Sequence, residues 1–209
     1  YAVTTGVQNT LIGGQAGDAL TDADYNVAIG VSALGADTLG SRATALGFAT
    51  LANQNFSSAT DNYNVAVGFQ AGNAVTTGVE NVLIGGLAGD ALTTGSGNVA
   101  LGTESLSAED AHGKNTAIGH QALLVQNAGA DAYNVAVGFQ SGKAITTGVQ
   151  NTFIGGLSGD ANTTASNNTA VGYASLGANT TGTDNVALGS GALDSNTTAN
   201  DNIAIGRLA

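Results

Sequence analysis

Asn168-Thr169-Ala170-Val171-Gly172-Tyr173-Ala174-Ser175-Leu176 is followed three residues later by Asn179-Thr180-Thr181-Gly182, and Asn185-Val186-Ala187-Leu188-Gly189 then restarts the phrase seventeen residues after its first Asn. Taking that Asn as position 0, the block recurs at Asn9, Asn26, Asn64, Asn81, Asn98, Asn115, Asn134, Asn151 and Asn202, with a degenerate copy starting at Ala43. Twelve blocks result, spaced by 17 residues except for a step of 21 after Ala43 and one of 19 after Asn115. A fixed period of this kind is the signature of a repeat architecture.

The columns of this alignment carry the fold. Position +4 is Gly in all twelve blocks, +3 is always aliphatic and +1 is always Val, Thr or Ile. Position +2 is Ala in nine blocks, and Leu11, Leu83 and Phe153 replace it in the first, fifth and ninth. Position +8 reads Gly, Leu, Leu, Gly along the first two groups of four blocks and Gly, Leu, Leu in the third, so the chain is three copies of a four-coil unit. A β-branched, small, aliphatic alternation has period two and predicts a short strand, which Gly at +4 ends at a bend. Seventeen residues are too few for a strand-helix-strand unit, and no segment has a helical stripe. The expected fold is therefore all-β: a β-solenoid of about twelve coils in one domain spanning 1–209. Insertions near 48–63 and 120–133 would bulge from the stack. At ~4.8 Å per coil the rod would be about 57 Å long. One coil cannot bury enough to stand alone, so stacking supplies the stability. The Asn column is expected to form a hydrogen-bonded ladder along the axis.

If +1 and +3 point inward, the Ala column at +2 forms a flat outward strip, and a close neighbour would cover it. This predicts a homo-oligomer packed along its length. The opposite assignment of faces is open at this point.

Composition narrows the function. The chain has 32 Gly, no Pro, Cys, Met or Trp, 9% charged residues and a net charge of −11. Its 43% hydrophobic content in regular positions argues against disorder. The scarcity of Lys and Arg disfavours nucleic acid, and no apolar run approaches a membrane span. Without cysteine there is no disulfide framework and no thiolate metal site. The absence of an initiating Met suggests a piece of a longer fibrous protein.

The blocks at Asn168 and Asn185 and the Asn179-Thr180-Thr181-Gly182 turn resemble the N-T-A-L-G and N-T-T-G repeats of tail-fibre-like proteins from phages and environmental bacteria. They are also similar to the N-S-V-A-I-G repeats in the heads of YadA-type trimeric autotransporter adhesins. The resemblance covers essentially the whole chain. It implies a parallel trimeric β-roll at a virion or bacterial cell surface, acting as a shaft or attachment module. A host-surface glycan or receptor is the external partner it implies.

Other residues invite chemistry. Gly13-Gly14-Gln15-Ala16-Gly17-Asp18, recurring at 85–90 and near 155–160, superficially matches a calcium-binding nonapeptide. Its spacing is wrong, and Asp18, Asp90 and Asp160 are expected to be solvated caps on a tight bend. Asp184 and Asp201 share a column one coil apart, a separation that suits a retaining glycosidase, but no His or aromatic platform joins them. His112 and His120 occupy different columns and lack a third ligand. Sequential Thr pairs such as Thr76-Thr77 and Thr93-Thr94 raise an ice-binding reading, which is weakened because neighbours in a strand face opposite ways. Asn55, Asn162, Asn167, Asn179 and Asn196 begin glycosylation sequons. Phe48, Phe69, Phe139 and Tyr173 at +5, and Tyr25, Tyr63 and Tyr133 just before the block Asn, are candidate contacts for a sugar or a neighbouring chain. No catalytic, cofactor-binding or metal-ligating residue is expected, and the leading reading is a non-enzymatic fibre or adhesin segment. A carbohydrate-binding or carbohydrate-cleaving solenoid and a self-assembling extracellular filament are the alternatives.

Overall fold

The computed structural model describes residues 3–209. Its strands, in chain order, are β1 (Thr10–Ile12), β2 (Val27–Ile29), β3 (Gly40–Ser41), β4 (Thr44–Leu46), β5 (Thr60–Asp61), β6 (Val65–Val67), β7 (Val82–Ile84), β8 (Val99–Leu101), β9 (Thr116–Ile118), β10 (Val135–Val137), β11 (Thr152–Ile154), β12 (Thr169–Val171), β13 (Val186–Leu188) and β14 (Ile203–Ile205). All but β3 and β5 form one parallel twelve-stranded sheet in chain order. Pairing is in strict register, +1 on +1 and +3 on +3, as in Thr169↔Val186 and Val171↔Leu188. The described residues contain no helix. The chain is a β-solenoid of twelve coils.

Both long steps keep that register: Thr44 pairs with Val65 and Thr116 with Val135. The extra residues lie in one corner of the coil. Asn55 N–H still donates to Thr76 ahead, while Thr60 N–H donates back to Leu39, so the four-residue excess falls between them. In the second step the excess lies between Asn127, which donates to Thr146, and Ala132, which donates to Gly113. β3 and β5 add a short rung beside the first insertion.

The core corrects the expected assignment of faces. Position +2 is the inward one: Ala28, Ala45, Ala66, Leu83, Ala100 and Phe153 are fully buried. Positions +1 and +3 face outward, half-buried or exposed. The interior is completed by +7 (Ala16, Ala88, Ser158), by Leu at +8 and by +11. Ala at +2 faces the larger side chains at +8 and +11, such as Leu34, Leu51 and Ile145, across a narrow slot. Period-two alternation says that faces differ and not which face is inside.

The four-coil rhythm is a volume exchange. Where +8 is Leu (Leu34, Leu51, Leu106, Leu123, Leu176), +11 is polar: Asp37, Gln54, Glu109, Gln126 and Asn179. Where +8 is Gly, a large +2 side chain occupies the room. A Cβ on Gly159 would lie 2.7 Å from Phe153 Cε1, and one on Gly89 would lie 2.7 Å from Leu83 Cδ2.

Backbone geometry explains the strictest column. All twelve +4 glycines have φ between 128° and 141°, a region closed to side chains, and a Cβ on Gly102 would lie 2.5 Å from the Gly119 carbonyl oxygen. Non-glycine residues also take φ near 47–67° at −1, +6 and +8, including the buried leucines at +8. Axial hydrogen bonds hold them there, such as Leu34 N–H to Thr50 O and Leu106 N–H to Ala122 O.

The Asn ladder is present. Asn98 N–H donates to Asn81 Oδ1 at 3.0 Å, and the Asn81 side-chain amide donates to Gly95 O at 2.9 Å. The pattern repeats along the rod, with Asn26, Asn64, Asn81 and Asn98 fully buried. Ala43 lacks the amide, and the insertion supplies it. Asn62 Oδ1 accepts from Asn64 N–H at 2.9 Å and its Nδ2 donates to Ser41 O at 2.8 Å.

Candidate functional surface

The outward turn of +1 and +3 creates an apolar face along the whole rod. Leu46, Leu101, Ile154 and Val171 at +3 are exposed, and Phe48, Phe69, Phe139 and Tyr173 stand out further at the adjoining +5 corner, Phe69 being 55% and Tyr173 61% exposed. Aromatic rings there stack between successive coils: Phe48 on Phe69 at 5.4 Å and His120 on Phe139 at 5.5 Å between centroids. In columns +1, +3 and +5 only Arg207 carries a formal charge, in a chain of net −11.

At the −1 corner the two insertions are anchored alike. Arg42 ion-pairs with Asp61 at 2.9 Å and lies 4.8 Å over the Tyr25 ring and 6.0 Å from Tyr63. Lys114 pairs with Asp131 at 2.6 Å and lies 5.3 Å over Tyr133. A cation one coil earlier thus grips an Asp-x-Tyr sequence ending each insertion, and the hydrogen bond from Lys114, helped by Gly113 N–H, holds the Asp131 carboxyl below its ordinary range. The three tyrosines face these cations. The sequence showed the tyrosines but not their cations, because the partners lie one coil away.

Asp184 and Asp201 are exposed at the −1 corner with φ of 58° each, their N–H groups donating to Ser166 and Thr183 carbonyls. A shallow depression elsewhere, lined by Gln15, Asp18, Ser32, Gly35, Ala36 and Ala52, holds a single acid. Asp90 and Asp160 are half-buried, not solvated as expected, and burial raises both carboxyls above their ordinary pKa. The +12 Thr hydroxyls are spent on axial bonds to the next coil, Thr76 to Thr93 O and Thr180 to Thr197 O. Among the sequons, Asn162 and Asn179 are fully buried and closed to a glycosyltransferase in the folded chain.

His112 and His120 are apart. His120 joins the aromatic column, whereas His112 lies at a corner beside Glu109, its backbone N–H donating to Glu109 Oε1 at 3.3 Å. Glu109 is fully buried, and desolvation pushes its carboxyl up to about 7. Polar residues recur at +11 wherever +8 is Leu, so spacing alone did not single Glu109 out. Among the described residues no helix is long and apolar enough to cross a membrane. No protein-family model, curated protein or solved structure matches the chain.

Proposed function

We propose that the chain is a non-catalytic structural segment of an extracellular fibre or adhesin, working as three parallel copies packed along their length. The observation that carries the reading is the largely apolar face of columns +1, +3 and +5, which runs the length of the stack with Arg207 as its one formal charge. Exposed apolar area on this scale marks an interaction surface. Its ridges recur once per coil, and a second copy of the same rod offers the same spacing over the same length. Identical chains meeting through one strip each close into a cyclic assembly, and the resemblance to trimeric adhesin heads favours a threefold axis. The interface therefore moves from the Ala column, which is core, to the +3 and +5 columns. A rod held in this way is suited to a shaft or spacer at a virion or bacterial surface, with glycan or receptor contact left to its insertion corner.

Light scattering coupled to size exclusion, with sedimentation velocity, tests this. The expected mass is three times the 20.2 kDa chain in an elongated particle, and Leu101→Asp together with Phe139→Asp lowers it to one chain with the β-signature retained. A monodisperse monomer at micromolar concentration would sink the proposal.

A further inference from the structure

The second coil of each four-coil unit presents one corner three times, and only the middle unit fills it with metal-ligand chemistry. Positions +11, +12 and +14 read Asp37, Thr38 and Gly40 in the first unit, Asn179, Thr180 and Gly182 in the third, and Glu109, Asp110 and His112 in the second. In the first unit the corner is closed. Asp37 accepts from Gly40 N–H at 3.0 Å and from the Gln54 amide at 2.7 Å. The Phe56 ring fills the space over Gly40, where an added Cβ would lie 2.7 Å from its Cδ2.

In the middle unit the volumes are exchanged. Phe56 is replaced in its column by Ala128, and Gly40 by His112. The carboxylate is left incompletely satisfied: Glu109 is fully buried, yet its Oε2 has no hydrogen-bond partner, and neither has the buried His112 Nδ1. His112 Nδ1 lies 4.0 Å from Glu109 Oε1. One ligand atom from each of Glu109, Asp110 and His112 lies within 4.8 Å of the others. Burying a carboxylate oxygen and an imidazole nitrogen without partners is costly, and a cation accepting both lone pairs removes that cost.

We propose that Glu109, Asp110 and His112 bind one divalent first-row transition cation per chain. An imidazole with two carboxylates suits zinc and its neighbours better than calcium or magnesium, which take all-oxygen shells. Three protein ligands and solvent complete a four-coordinate shell at ligand distances of ~2.0–2.2 Å, so the three side chains draw together by about an ångström or more on loading. The exposed Asp110 supplies the solvent-facing ligand. The cation ties the turn at 109–112 to itself beside the second insertion.

The probe is Zn2+ alone, titrated calorimetrically into the chelator-stripped full chain, with Co2+ absorption as an independent readout of the shell. One equivalent binds the wild type, and His112→Gly, which restores the residue of the other two units, weakens binding at least tenfold while His120→Ala leaves it unchanged. If His112→Gly does not fold by circular dichroism, Asp110→Thr, the surface residue of both other units, takes its place with the same expected loss. No saturable binding to the wild type, the outcome if Gln126 donates to Glu109 as Gln54 does to Asp37, overturns the proposal. Binding as tight in the variant as in the wild type, or binding that requires His120, overturns it equally.

Discussion

Gly102 shows how much of this chain is decided by single backbone positions. Its φ of 141° and the Gly119 carbonyl 2.5 Å from any added Cβ leave no room for even a methyl group. Gly102→Ala is expected to cost about 2–4 kcal/mol through strain and a displaced coil contact, read as a lowered denaturation midpoint. An equal midpoint would show that the coil opens freely at this bend. The Leu residues at +8 make the complementary point. They also take left-handed φ, yet Leu106 and Leu123 are fully buried and their N–H groups bonded. Nothing local in the sequence distinguishes such a Leu from one in a strand, so these positions were not legible as left-handed.

At the level of the coil, the exchange between +2 and +8 makes a sharper prediction. Coil nine carries Phe153 at +2, Gly159 at +8 and Asn162 at +11, and the three atoms nearest a Cβ on Gly159 all belong to Phe153. Gly159→Leu alone overpacks the slot by about 1–3 kcal/mol, and Phe153→Ala alone leaves a cavity costing about 3–5 kcal/mol. The double variant has the composition of an ordinary coil, with Ala at +2, Leu at +8 and a polar +11. Its loss is expected to be smaller than the sum of the two by more than about 1 kcal/mol; additive losses would mean the two sites do not share one volume. The repeating Gly, Leu, Leu, Gly was visible in the sequence, but its cause was not. The partners of +8 at +2 and +11 lie across the slot, and in some cases on the next coil.

Across the whole rod, the buried acids set a direction for pH dependence. Desolvation raises Glu109 from an ordinary 4.5 to about 7 and raises Asp90 and Asp160 as well. A carboxyl with a raised folded pKa holds more protons folded than unfolded between its two values, so stability falls as pH rises through that window. For Glu109 the window runs from about 4.5 to about 7, and the loss is at most about 3 kcal/mol. Relief of self-repulsion in a chain of net charge −11 acts in the same sense. In chelator-containing buffer the urea midpoint is expected to be higher at pH 5 than at pH 8, with Glu109→Gln flattening the difference. A higher midpoint at pH 8 would contradict this account.

The sequence by itself determined the number of coils, their register, the Asn ladder, the Gly bend and the existence of two insertions, because each repeats along the chain and parallel stacking places like on like. Tertiary structure alone decided which strand face is core, which corner absorbs the insertions, and that Glu109, Asp110 and His112 converge. The reason is geometric. A period of two fixes that neighbours face opposite ways, whereas inside and outside depend on the width of the slot between two walls, set by contacts from residues six to nine positions away or on another coil.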